Sequence, residues 1–248
     1  PRLSKVKVGI EDKVVAFVTG GYDKYEDLRF GQTQEFPTLG ADTTVPYQVD
    51  DAGVSVLNFG ATSDGGVIAG SSAYNRGGAM YAIEVATLTG AAPNLMPDTS
   101  DAGDVVWSYD HSGSNSTNNN ADLDYSIASD MTVGDFNNDG YTDVIYVGDT
   151  GGRMWRFTVG NAAPSAWEGN IIFDANPGYE DFYTTYVSAA ERSKPKDPSA
   201  LSTDVGRKFF YKPAVAIKNG KAHLWFGSGD RAHPLNRAVV DRMYKVVD

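Results

Sequence analysis

Asp135-Phe136-Asn137-Asn138-Asp139-Gly140-Tyr141-Thr142-Asp143-Val144-Ile145-Tyr146-Val147-Gly148-Asp149 runs on into Gly151-Gly152-Arg153-Met154-Trp155-Arg156-Phe157-Thr158-Val159, and the second half of this stretch decides the fold. Val144–Val147 is an apolar strand that enters a Gly-containing turn with Asp, and Met154–Val159 is an aromatic-bearing strand that returns from it. That is the signature of a hairpin.

The same pattern occurs twice more. Val14-Val15-Ala16-Phe17-Val18-Thr19-Gly20-Gly21-Tyr22-Asp23 and His223-Leu224-Trp225-Phe226-Gly227-Ser228-Gly229-Asp230 are strands that run into Gly turns with Asp. Their return segments are Gly77–Val85 and Asp241–Asp248. Met80, Met154 and Met243 fall in register, as do Tyr81, Trp155 and Tyr244. A single hairpin cannot bury its faces alone, so repeated hairpins imply stacked or radially arranged blades. With 27 Gly, 14 Tyr and 11 Phe and few windows of helical period, the chain reads as all-β, a modified β-propeller or a portion of one. The aligned aromatics are 74 and 89 residues apart, more than the roughly 40–50 of a propeller blade. Insertions are therefore expected near 24–51, 111–120 and 177–205, the last with a short helix at Ala189–Ser193. The aligned methionines and aromatics are expected in the core. Three hairpins are too few for a ring of roughly four to eight blades. An open arc follows, with exposed strand edges expected near Val14–Val18 and Met243–Val247 that contact further polypeptide.

The 248 residues suffice for one cored domain, and residues 1–248 are read as one propeller domain or portion. A formal charge of −11 and pI ≈ 4.7 repel phosphate backbones, and no basic stripe offsets this, so nucleic acid is not an expected partner. The absence of cysteine excludes thiolate metal sites, cysteine nucleophiles and disulfides. The longest apolar runs are far shorter than the ~20 residues of a membrane helix. Pro1, with neither an initiating Met nor a signal-peptide pattern, predicts a processed or excised part of a longer polypeptide.

The first half of the opening stretch carries the chemistry. Oxygen-bearing side chains stand at loop positions 1, 3, 5 and 9, with Gly at 6, the beginning of a D-x-[DN]-x-[DN]-G calcium loop. A calcium ion takes six to eight oxygens at about 2.3–2.6 Å, so the chain must curl until alternate side chains converge. Asp135, Asn137 and Asp139 are expected to supply side-chain oxygens, Tyr141 its backbone carbonyl, and Asp143 the closing carboxylate. Position 12, the bidentate Glu of a helix–loop–helix site, is Tyr146 in a strand. The loop is therefore expected to join two strands. Three carboxylates crowded together would repel one another without a cation.

Other constellations are weaker. His111, His223 and His233 lie in unlike contexts, and surface or core roles fit them better than ligation or catalysis. Gly227–Arg231 reads as a turn, and no nucleophile elbow or phosphate loop is present. Asn115-Ser116-Thr117 fits a glycosylation sequon. Asp122, Asp124 and Asp130 read as a solvated acidic face before secondary calcium ligands.

Ser129–Val159 as a whole resembles the calcium-loop blade of PilY-type type IV pilus tip adhesin and assembly proteins. Gly20-Gly21-Tyr22-Asp23 and Phe226–Asp248 agree with the same family. The resemblance implies a quinoprotein-like propeller in the carboxy-terminal region of a large surface protein at the pilus tip, and a calcium site that influences pilus extension and retraction. It further implies minor pilins, the rest of the parent chain and a host-surface receptor as partners. Only Asp135, Asn137, Asp139, Tyr141 and Asp143 inherit the metal role.

Two alternatives come from other classes. Gly134–Asp143 is also similar to the repeats of FG-GAP or integrin-α-like calcium propellers in adhesins and lectins, but those carry the loop in several blades and here it occurs once. A quinone-dependent dehydrogenase shares the propeller class, but no polar cofactor cluster is legible, and its vicinal disulfide is impossible here.

Overall fold

The computed structural model describes residues 1–22, 47–49, 55–57, 77–90, 94–110, 123, 125–176, 206–232, 234 and 239–248. The expected insertions at 111–120 and 177–205, with the helix at Ala189–Ser193, lie outside these residues, as does 24–51 apart from 47–49. His111, His233, Asn115, Asp122 and Asp124 also lie outside them.

The chain is all-β. The first sheet holds β1 (Arg2–Val8), β2 (Glu11–Thr19), β5 (Ala79–Thr89), β6 (Met96–Asp98) and β7 (Val105–Asp110). The middle sheet runs β11 (Glu168–Asp174), β10 (Arg153–Thr158), β9 (Val144–Gly148), β8 (Thr132–Gly134). The last runs β12 (Ala214–Lys218), β13 (Lys221–Gly227), β14 (Met243–Val247). A small pair, β3 (Tyr47–Val49) and β4 (Ser55–Leu57), stands apart. Every pairing is antiparallel, and none of these sheets closes on itself. No helix among the described residues is long and apolar enough to cross a membrane.

The three expected hairpins are the backbones of the three sheets. Thr19 pairs with Met80, Gly148 with Met154 and Gly227 with Met243. One step along, Val18 pairs with Tyr81, Val147 with Trp155 and Phe226 with Tyr244. The sequence repeat is thus also a repeat of strand register.

Two cores separate three layers. Val15, Phe17, Met80, Ala82 and Trp107 of the first sheet meet Ile145, Val147, Trp155 and Phe157 of the middle one. On the other face of the middle sheet, Val144, Tyr146 and Met154 meet Leu224 and Phe226 of the last. All five residues of β9 are consequently buried, as expected of a strand covered on both faces. Asp248 ties the last sheet back to the middle one by accepting from the Tyr146 hydroxyl at 2.6 Å and from Arg156 at 3.0 Å.

This layering gives the stack a polarity. Side chains alternate faces along a strand, so in each hairpin the Met and the aromatic lie on opposite faces of the sheet. Met80 and Met154 face the following sheet and are 0% exposed, while Trp155 and Tyr244 face the preceding one. Met243 has no described sheet beyond it and is 77% exposed, which corrects the expectation that all three methionines are core. The predicted edge at Val14–Val18 is also corrected. β2 is an inner strand, flanked by β1 and β5, and among the described residues the edge on that side is β1. Met243–Val247 does pair on one side only among the described residues.

A contrast between equivalent residues follows. Met154→Ala should lower unfolding free energy in urea by about 2–5 kcal/mol, the cost of a buried Met truncation. Met243→Ala should stay within about 0.5 kcal/mol of the parent. Equal losses would mean that the outer face is covered.

The turn of the middle hairpin is built around Asp149. Its Oδ1 accepts from the Arg153 amide at 2.9 Å and its Oδ2 from the Trp155 indole N–H at 2.7 Å. Gly152 sits at φ 82°, where a Cβ would collide with the Arg207 carbonyl and the Asn176 amide, so the turn requires glycine there.

Candidate metal loop

Residues 135–143 connect β8 to β9, two neighbouring antiparallel strands, as the sequence predicts. At the neck the Asp143 amide donates to the Gly134 carbonyl at 2.9 Å, and the Val159 amide donates to the Asp143 carbonyl at 2.7 Å. The curl is made from local bonds of the kind that Asp and Asn offer their own backbone. Asp135 Oδ2 accepts from the Gly140 amide, Asn137 Oδ1 from the Asp139 amide and Asp139 Oδ1 from the Tyr141 amide, each at 2.8 Å. Asn138 at φ 60° and Gly140 at φ 86° supply the left-handed turns that bring these groups round.

Asp135, Asn137 and Asp139 therefore share one tight turn, and the Asn137 side-chain amide donates to Asp139 Oδ2 at 3.0 Å. Asp143 does something different. Its Oδ2 accepts from the Phe136 amide at 2.7 Å and the Asn137 amide at 3.4 Å, pinning the loop's entry to its exit. Tyr141 turns its side chain away from the curl and donates its hydroxyl to Asp12 Oδ1 at 2.8 Å. The expected crowding of three carboxylates is not what the fold builds. Among the described residues no group of three or more Asp, Glu, His or Cys side chains lies close enough together to hold a metal ion. The mutual repulsion inferred from the sequence is relieved because each carboxylate bonds backbone N–H groups.

The residues nonetheless fit a hard cation at one atom. Asp135 Oδ1 is buried and accepts no hydrogen bond, and a buried carboxylate oxygen left without a partner is costly. A calcium ion is an oxygen-seeking partner for such an atom. The loop's further oxygen donors include the Asp139 carboxylate, the Asn137 amide oxygen and the Tyr141 carbonyl, of which the last two are uncharged and so escape a count of acidic groups.

Two aromatic anchors hold the loop between layers. Phe136 packs against the core between the middle and last sheets, with its ring 6.4 Å from that of Tyr146. Tyr141 lies against the first sheet, with Lys5 Nζ 4.3 Å and Lys7 Nζ 5.7 Å from its ring centroid. Asp12 pairs with Lys7 at 2.8 Å and with Lys5 at 3.2 Å. The bonds from Lys7 and Tyr141 hold its carboxyl down to about 2. Asp12, Lys5 and Lys7 were not legible as part of this site. Their only signal is the charge alternation of Lys5-Val6-Lys7 and Glu11-Asp12-Lys13, which any exposed hairpin face could carry.

Among the other singled-out residues, Asp130 pairs with Arg2 at 3.2 Å. His223 stacks on Trp225 at 6.1 Å in the last sheet. In the Gly227–Arg231 stretch, Gly227 ends β13, the Ser228 amide donates to the Arg242 carbonyl at 2.9 Å and the Ser228 hydroxyl donates to Asp241 at 2.8 Å.

The described residues define an all-β protein of stacked antiparallel sheets, with an Asx-rich loop at 135–143. No protein family matches the chain, and no curated protein does. Among solved structures, the crystal structure of the C-terminal domain of Pseudomonas aeruginosa PilY1 aligns with a TM-score of 0.37 and 12% identity, over 93% of this chain and 32% of that one. The chain thus spans about a third of that chain's length.

Proposed function

We propose that this chain is a calcium-binding propeller portion of a cell-surface, type IV pilus-associated adhesin. It would support pilus biogenesis, adhesion and the balance of extension and retraction, and it would act through surfaces and not by turnover. The observation that carries the calcium assignment is Asp135 Oδ1, buried and without a hydrogen-bond partner inside the loop. The pilus assignment is supported by the motif content of Ser129–Val159 and the order of the flanking segments.

In this reading Asp135, Asn137, Asp139 and the Tyr141 carbonyl would hold the ion. Asp143, expected as the closing ligand, would act first on the loop's neck. The bound ion would neutralise the buried Asp135 oxygen and lock the β8–β9 connection, stiffening the middle sheet from which both cores are built. Minor pilins at the pilus tip, the parent chain and a host-surface receptor are the proposed partners.

Calorimetry should find one calcium per chain, with affinity in the micromolar to millimolar range typical of sensor and extracellular sites. Asp135→Ala should abolish it. At a hundredfold excess over Kd the ion should stabilise the fold by about 2.7 kcal/mol, so the melting temperature should rise with calcium and fall in chelator. An unchanged stoichiometry in the Asp135→Ala, Asp143→Ala double variant would sink the assignment. In the parent organism, Asp135→Ala should alter twitching or surface piliation more than protein abundance.

A further inference from the structure

We propose that Tyr141 is a positioning residue through which the β1–β2 hairpin of the first sheet sets the calcium affinity of the 135–143 loop. The proposal rests on the calcium reading above and adds a control on that site from a different sheet.

The loop belongs to the middle sheet, yet its outer shoulder is bonded to the first. The Tyr141 hydroxyl donates to Asp12 Oδ1 at 2.8 Å, its ring lies under Lys5 and Lys7, and the Thr142 amide donates to the Lys5 carbonyl at 2.9 Å. The last bond matters most. The expected ligand at this position is the Tyr141 carbonyl, and it shares one planar peptide unit with the Thr142 N–H. In a trans peptide the two point in opposite directions, so anchoring the N–H on β1 aims the carbonyl away from β1. On the other side of the residue, the Tyr141 amide donates to Asp139 Oδ1 at 2.8 Å. The residue is thus held from inside the loop by a candidate ligand and from outside by the first sheet.

Asp12 is suited to this role. It is paired with Lys7 at 2.8 Å and Lys5 at 3.2 Å, so the Tyr141 hydroxyl donates into an ion-paired carboxylate, a charge-assisted and stronger kind of hydrogen bond. An ordered carbonyl binds a cation better than a free one, because less conformational freedom is lost on binding. By linkage, calcium must in turn strengthen the contact between loop and hairpin.

The test uses the intact chain and Tyr141→Phe, which keeps the ring against the lysines, changes no charge and removes the hydroxyl with its bond to Asp12 and its interaction with Lys5. Calcium titration should show Kd weakened about tenfold or more, the lower end of the fold-change that a hydrogen bond to a charged acceptor is worth, with a lower melting temperature in chelator as well, since the bond is made without the ion. Asp98→Asn, which removes an exposed carboxylate of β6, should leave Kd unchanged and so controls for net charge. In the parent protein itself, calcium should slow hydrogen exchange at the Thr142 amide. A Tyr141→Phe Kd within twofold of the parent, or Thr142 exchange indifferent to calcium, would overturn the coupling while leaving the calcium site standing. A parent chain that binds no calcium would overturn the site and the coupling together.

Discussion

Trp155→Ala is expected to cost roughly 4–8 kcal/mol and to leave the chain largely unfolded at 25 °C, because two effects fall on one side chain. The indole is 0% exposed in the core between the first and middle sheets and stacks on Phe157 at 6.0 Å, and truncating such a residue costs about 3–5 kcal/mol. Its N–H is also the donor to Asp149 Oδ2 at 2.7 Å, and losing that donor strips a buried carboxylate of one of its hydrogen bonds, at about 1–3 kcal/mol more. Against a total of about 5–15 kcal/mol for a natural domain, this is most of the stability. Trp155→Phe separates the two, since it keeps an aromatic in the core but lacks the N–H. Urea titrations followed by circular dichroism should place it between the parent and Trp155→Ala. If Trp155→Ala loses under about 2 kcal/mol, the middle sheet is not the shared wall of two cores.

Stability should also carry a pH signature from Asp149. Burial pushes its carboxyl up to about 6, against the opposing pull of the Trp155 indole N–H, the Arg153 amide and the Arg153 charge. The folded state therefore binds this proton more tightly than the unfolded one. The associated stability is fully present below about pH 4, falls as pH rises through 6, and is then level. The shift corresponds to a loss on the order of 3 kcal/mol across that window. Asp12 works the other way. Its carboxyl is held at about 2 by Lys7 and Tyr141, so its contribution is present above about pH 4 and disappears as pH falls toward 2. The two windows do not overlap, so the difference between parent and Asp149→Asn curves isolates the first. That difference should shrink between pH 4 and 6, and a difference independent of pH would show that Asp149 is ionised throughout.

Much of this architecture was legible before any tertiary contact was known. Hairpin formation depends on near neighbours, namely alternating apolar residues, a Gly with a permitted left-handed turn, and Asp or Asn to cap it. Those signals marked all three hairpins and the β8–β9 connection, and the in-register methionines and aromatics anticipated the pairing of Met80, Met154 and Met243 with the ends of β2, β9 and β13. Among the strands that sequence patterns did not mark, which include β7, β11 and β12, β1 pairs with β2 through a tight turn at Gly9, which has φ 59°. It turned the expected edge at Val14–Val18 into an inner strand.

At the loop, residue spacing marked Asp135, Asn137 and Asp139 as one turn, because Asx side chains bond backbone only two to five positions away. It could not show that Asp143 pins the neck or that Tyr141 reaches Asp12, a partner 129 residues distant. The same holds for Met243, whose composition and register match those of Met154 while its environment does not. Local sequence, acting over a few residues through backbone sterics and short hydrogen bonds, determined the strands, the turns and the curl of the loop. Only tertiary structure decided which face of each sheet meets another layer, which carboxylate oxygen is left unpaired, and which distant side chain holds the loop. Burial and long-range pairing depend on what the folded chain brings alongside, and that is not written at any single stretch.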